Sequence, residues 1–568
     1  LAAGNLTANQ GVVMADNPLS AVRDATNPTA GSLARLINPR IAAGHDPALL
    51  HAGDTQPVRL VAAAGDLTGI FNLPKAASVV AGRDVRTLTL YGQNLAESDT
   101  TRIRAGRDFD ARLGGIVEIA GPGQAVVQAG RNVDLGVSAG IVTRGNLINP
   151  GLPEAGASIV VVAGSAGGPD YAAARTRYLP EYGELAALTL RMGESETARY
   201  LPEITQFVRE RGGADARLDG QAALKRFFAL DAPTQQSFIA GLGSRDAFIP
   251  TLGAFAGLLA EHRANPVATE AAAQAAFVAL PAGRQEPLLN RILGAELTAS
   301  GAAASRAAAT GRDAAYARGA AAIATFFPGS SYAGDLLLYS SQIKTERGGD
   351  IHLFVPGGLA NAGLPVPSTG KGPGELGIVT VSGGDVNALV KNDFLVNQSR
   401  VFTLGGGSIL IWSAEGDIDA GRGAKTASSA PPPRIFIDSS GNVQTDISGA
   451  VSGSGIGTLS TKPGTPPGDV TLAAPRGEIN AGDAGIRSSG NFDAAAPRFV
   501  GADNVQVKGD SAGVPAPAAV STPSTASLGS AASDASRSAA ESAAAGAQAR
   551  QAEVRQAVTS NTFVGFGP

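Results

Sequence analysis

The chain has 568 residues, is 44% apolar, carries a net charge of −4 and contains no cysteine. The length allows roughly three or four globular domains or one long repeat array. The charge balance leaves no basic footprint for nucleic acid and no polybasic membrane patch. The missing cysteines exclude disulfides, thiolate metal sites and cysteine nucleophiles.

Glycine is abundant at 74 residues, while aromatic residues are only 5%. Many glycines and few rings suit stacked strands joined by tight corners, and no Gly-X-Y period points to collagen. No stretch approaches the ~20 apolar residues that cross a bilayer. The chain opens at Leu1 with no signal peptide in front of it, which reads as a piece of something longer.

In chain order, residues 1–61 begin with a corner-like AAGNLTA and then turn irregular, punctuated by Asn17-Pro18, Asn27-Pro28 and Asn38-Pro39. Strands are expected from near Val58. Residues 65–168 hold a repeat. Gly65-Asp66-Leu67, Gly82-Arg83-Asp84-Val85, Gly106-Arg107-Asp108-Phe109 and Gly130-Arg131-Asn132-Val133 share one pattern, each preceded by alanine. A period of about 20–25 residues fits one coil of a solenoid. Glycine turns the corner, and the residues after it alternate inward at strand spacing. One coil cannot bury its own face, so coils must stack.

Composition changes over 170–327, where helix formers replace strand corners. ALKRFFALDAPTQQSFIAGL and PLLNRILGAEL carry apolar residues at helical spacing. Asp231-Ala232-Pro233 has the form of a helix start, with Asp capping and Pro early in the first turn. This segment is predicted to be an all-α insertion that leaves the solenoid through one corner, packs outside it, and protrudes as the part that meets a partner.

Corner grammar resumes over 332–486, at Gly349-Asp350, Gly384-Asp385, Gly407-Ser408, Gly416-Asp417, Gly468-Asp469 and Gly477-Glu478. Pro-rich excursions at 364–373 and 428–433 read as surface loops. Residues 491–508 supply a last coil or cap. The Ala/Ser/Pro stretch 511–560 is too poor in large apolar residues to build a core and is predicted to be disordered, with a terminal strand possible at Phe563-Val564-Gly565-Phe566-Gly567. The expected fold is therefore mainly β: a right-handed parallel β-helix interrupted by an all-α insertion, with a disordered tail. The predicted divisions are 1–168, 169–328, 329–510 and 511–568.

Several motifs invite a chemical reading. Gly509-Asp510-Ser511-Ala512-Gly513 has the spacing of a nucleophile elbow, but Val514-Pro515 follows it instead of a helix. Gly453-Ser454-Gly455-Ile456-Gly457 and Gly421-Arg422-Gly423-Ala424-Lys425-Thr426 have the flavour of nucleotide loops without the helix such loops need. Glu346, Asp350, Asp385, Asp417 and Asp419 are oxygen donors that could hold Ca²⁺, or that could serve a polysaccharide-cleaving groove if they shared one face. Their simpler role is to accept backbone N–H bonds at corners. Asn5-Leu6-Thr7 and Asn397-Gln398-Ser399 are glycosylation sequons, with Asn397 better placed in a stack of side-chain amides. Trp412, the only tryptophan, suits core and surface equally. No catalytic, cofactor-binding or metal-binding residue is assigned, and no enzyme activity is expected.

GGDIHLFVPGG, GIVTVSGGDVNALVKNDFLVNQSRVFTLGGGSILIWSAEGDIDAGRGAKTASSAPPP, VSGSGIGTL and VTLAAPRGEINAGDAGIRSSGNF together resemble the C-terminal module of filamentous-haemagglutinin-type large exoproteins. The resemblance is specific over 332–508 and looser over 65–168. It implies a bacterial surface or secreted adhesin or biofilm factor, exported by two-partner secretion through an outer-membrane transporter. It implies an unidentified host or bacterial surface ligand, protein or glycan, and no nucleic acid. The alternatives from the same residues are a β-helical polysaccharide-acting enzyme and the shaft of a toxin-delivery exoprotein.

Overall fold

Nearly every strand pairs with the strand one corner-repeat away in the chain, not with its immediate neighbour. The computed structural model describes residues 1–14, 54–145, 153–211, 220–366, 370–371, 373–422, 434–437, 443–446, 453–460 and 464–515. The chain divides into two compact units, Leu1–Pro515 and Ala516–Pro568. The second unit, with most of the expected disordered tail and its terminal strand, lies outside the described residues, as does most of the irregular opening stretch; the first residues of that expected tail, Ser511–Ala512, form a strand of the first unit.

Within the first unit the strands form two long parallel sheets. Among the described residues sheet 1 has 11 strands and sheet 2 has 19. Sheet 2 contains two ladders, one of short strands such as Phe109–Asp110 and one of longer strands such as Ile116–Ala120, which share Val85–Gln93. Each rung of the chain thus supplies a strand to sheet 1 and to both ladders of sheet 2. An antiparallel hairpin, Arg434–Ile437 with Val443–Asp446, stands apart from both sheets.

The Ala-Gly-Arg-Asp repeats set the register. Val85 pairs with Phe109, Phe109 with Val133, and Val133 with Leu336 across the whole helical segment. The solenoid-like stacking is therefore continuous, and the insertion leaves and returns at one corner, where the Asp170 N–H donates to Phe326 O (2.6 Å). One rung lies earlier than the sequence suggests: Leu6–Val13 pairs with Leu67–Leu73. Inward residues of all three ladders, among them Leu90, Val127, Ile159, Ile351 and Ile411, form one continuous core.

Corners stack as tightly as strands. A Cβ on Gly384 would lie 2.1 Å from Gly349 O, and one on Gly407 would lie 1.8 Å from Gly384 O, so only glycine lets successive corners approach this closely. An Asp or Asn one or two positions after the corner glycine bonds the next rung. Asn5, Asp66, Asp84, Asp108, Asn132 and Asp335 each accept, through Oδ1, the N–H of Asp66, Asp84, Asp108, Asn132, Asp335 and Leu359 in turn, at 2.9–3.2 Å. These side chains do accept corner N–H bonds, as expected, but from the following rung. A bond of this kind to a charged acceptor is worth roughly 1.5–3 kcal/mol.

The helical segment comprises α1 (Tyr171–Tyr178), α2 (Gly183–Met192), α3 (Glu194–Arg211), α4 (Gly220–Phe228), α5 (Ala232–Gly243), α6 (Ile249–Ala264), α7 (Pro266–Ala279), α8 (Ala282–Arg306) and α9 (Arg312–Phe326). Asp231 caps α5 as expected, accepting the Thr234 N–H at 2.8 Å. The expected protrusion is corrected. The helices lie against sheet 1 and share one apolar cluster with its outer face, including Val160, Phe354, Leu389, Leu410 and Trp412.

The 25-residue α8 is a splint along the stack. Its side chains meet successive rungs in order: Glu286 with Arg102 (2.5 Å), Arg291 with Asp350 (3.1 Å) and Ser305 with Asp493 (2.9 Å). Between these points Gly294 faces Asn387 and Gly301 faces Thr471. Seven strand spacings of ~4.8 Å span about 34 Å, against about 29 Å of helix rise from Glu286 to Ser305, the long Arg102 and Glu286 side chains reaching across the difference. No helix among the described residues is long and apolar enough to cross a membrane.

Candidate functional site

Sheet 1 presents three outward columns. The one nearest α9 is apolar and fully covered: Val162, Phe354, Leu389, Trp412 and Ala473 align by register. Trp412 is therefore core, 1% exposed, edge-on to Tyr316 at 5.8 Å. The column at the opposite margin is polar: Ser158, Asp350, Asp385, Ser408, Asp469 and Asn491. Asp350 Oδ1 accepts the Asp385 N–H (2.9 Å), Asp385 Oδ1 the Ser408 N–H (2.8 Å), Ser408 Oγ the Asp469 N–H (3.1 Å) and Asp469 Oδ1 the Asn491 N–H (2.8 Å).

Here the helices stand off the sheet. A cleft of about 910 Å³ opens between α3, α8 and the glycine corners 348–349, 383–384 and 405–406. Glu97 closes one end by capping α3, accepting the N–H groups of Glu194 (3.2 Å) and Ser195 (3.3 Å). Arg291 reaches across the cleft from α8, pairing with Asp350 at 3.1 Å and Glu194 at 3.3 Å. Arg209 pairs with Asp469 further along, and Arg306 with Asp493 at 3.5 Å.

Burial governs the acids here. It pushes Asp350 up, but Arg291 and the Asp385 N–H oppose it and that carboxyl is held below its ordinary range. Asp385 is pushed up to about 6, first by burial and then by the charge of Asp350. Glu194 is raised by burial, with Arg291 opposing. His352, buried beside them, is pushed down to about 4 by burial and stays neutral.

The five acidic corner residues weighed for Ca²⁺ do not converge. Glu346 pairs with Arg144 (2.9 Å) and Lys344 (3.1 Å) on sheet 2. Asp417 Oδ1 accepts the Glu478 N–H (2.7 Å), and Asp419 Oδ1 the Gly421 N–H (2.8 Å). Only Asp350 and Asp385 share a place, in the cleft. Among the described residues no group of three His, Asp or Glu is arranged to hold a metal ion.

The other motifs resolve into structure. Ser511 is an exposed residue of a two-residue strand, Ser511–Ala512, which pairs with Phe492–Ala495. Gly455 begins the strand Gly455–Thr458, with no helix after it. Residues 423–426 lie outside the described residues. Asn397 Nδ2 donates to Asn361 Oδ1 (3.0 Å) and Gly363 O (3.1 Å), so the nitrogen a glycan would need is engaged in an amide pair. Asn5 is exposed, and its Oδ1 accepts the Asp66 N–H.

Residues 406–516 match the family described as filamentous haemagglutinin family outer membrane protein. That stretch covers the last rungs of both sheets, from the Gly406 corner to Ser511–Ala512. No curated protein and no solved structure matches the chain.

Proposed function

We propose that this chain is a structural and adhesive module of a secreted or surface-exposed bacterial exoprotein, built as a right-handed parallel β-helix and exported by two-partner secretion through an outer-membrane transporter. The observation that carries this reading is the coincidence of the family match at 406–516 with the final rungs of the parallel stack. Such a rod holds a binding surface away from its point of attachment, and its ligand is a protein or glycan of a host or bacterial surface. A non-catalytic role is part of the proposal. It is supported by the state of the cleft acids, several of whose oxygens are taken by backbone N–H groups and arginines.

The test is adhesion by beads coated with the purified chain, on epithelial cells and on bacterial lawns, beside a digestion screen with pectin, alginate and host glycans. Saturable adhesion without release of sugar ends is the expected result. Release of unsaturated or reducing ends would overturn the reading in favour of a polysaccharide-acting enzyme, and failure to adhere to any surface would remove the adhesive part.

A further inference from the structure

No further inference is drawn: the strongest candidate, the exposed and uncharged face of α7 formed by Val267, Ala271, Ala275 and Val278, is an unpartnered apolar helix face, and nothing in the structure shows what covers it.

Discussion

Replacing Gly319 by alanine should destabilise the protein, although helix propensity alone argues the opposite. Gly319 lies inside α9, where alanine normally gains about 1 kcal/mol over glycine. A Cβ at this position would stand 2.5 Å from Trp412 Cη2 and 2.9 Å from Cζ3. The indole cannot retreat: it is 1% exposed and held edge-on against Tyr316. Overpacking of this severity costs about 2–3 kcal/mol, which leaves a net loss of about 1–2 kcal/mol once the propensity gain is subtracted. Gly253, inside α6, is the control, since a Cβ there meets nothing within 4 Å. Gly253→Ala should stabilise by about 1 kcal/mol. Trp412 is the only tryptophan, so urea denaturation followed by its emission reports the contact between α9 and the sheet directly. Stabilisation by both substitutions would refute the packing argument.

Three further outcomes follow from the same contacts. Deleting 170–327 uncovers Val160, Phe354, Leu389, Leu410 and Trp412 together, so the remainder should bind a hydrophobic dye and aggregate; a soluble monomeric rod would show that sheet 1 needs no cover. Asp84→Ala removes the acceptor of the Asp108 N–H and the partner of Arg86 and Arg107, and should cost about 2–3 kcal/mol, with Asp84→Asn costing less because it keeps the acceptor. Burial pushes Asp84 up, but Arg107 and Arg86 hold it below its ordinary value, so its contribution is present above the unfolded carboxylate pKa and is lost as pH falls through the lower folded one. Asp385 has the opposite sign: its folded pKa, about 6, lies above the unfolded 3.8, so its stabilising effect is complete below 3.8 and disappears as pH rises through about 6. Thermal melts should therefore show Asp385→Asn more stable than wild type at pH 7.5, with the difference narrowing toward pH 4; equal melting curves at both values would contradict the burial of that carboxyl.

The stack was readable because its corners repeat. Glycine followed by Asp or Asn marks each turn, and the pairings Val85 with Phe109 and Phe109 with Val133 fall where the Ala-Gly-Arg-Asp repeats place them. The rung at Leu6–Val13 escaped because most of its strand, LTANQGVV, is polar or small and shows no clear alternation. The docking of the helices escaped for a different reason. Strands that face the core on one side and water on the other should alternate, yet SIVVVA, VNALV and ILIWS are almost wholly apolar. Such runs mark strands buried on both faces, and that signal was in the sequence. The glycines of α8 and α9 carry the matching signal, but only once their partners on the sheet are known. The cleft was not legible at all. Glu97, Glu194, Arg291, Asp350 and Asp385 come from five separated stretches, and only the register of sheet 1 and the path of α8 bring them together.

The central claim is that α8 is laid along the outer face of sheet 1. A Cβ on Gly301 would lie 3.5 Å from the Ala473 Cβ, within the separation a disulfide bridges. The chain has no cysteine of its own, so the pair Gly301→Cys and Ala473→Cys can be read without background. Thr471→Ser is added because the Thr471 Cγ2 would stand 2.8 Å from the new side chain. Mild oxidation of the monomer should close this disulfide, seen by mass spectrometry of a tryptic digest, while the pair Gly253→Cys and Ala473→Cys stays reduced. Two free thiols at 301 and 473 in a folded, oxidised sample would contradict the account.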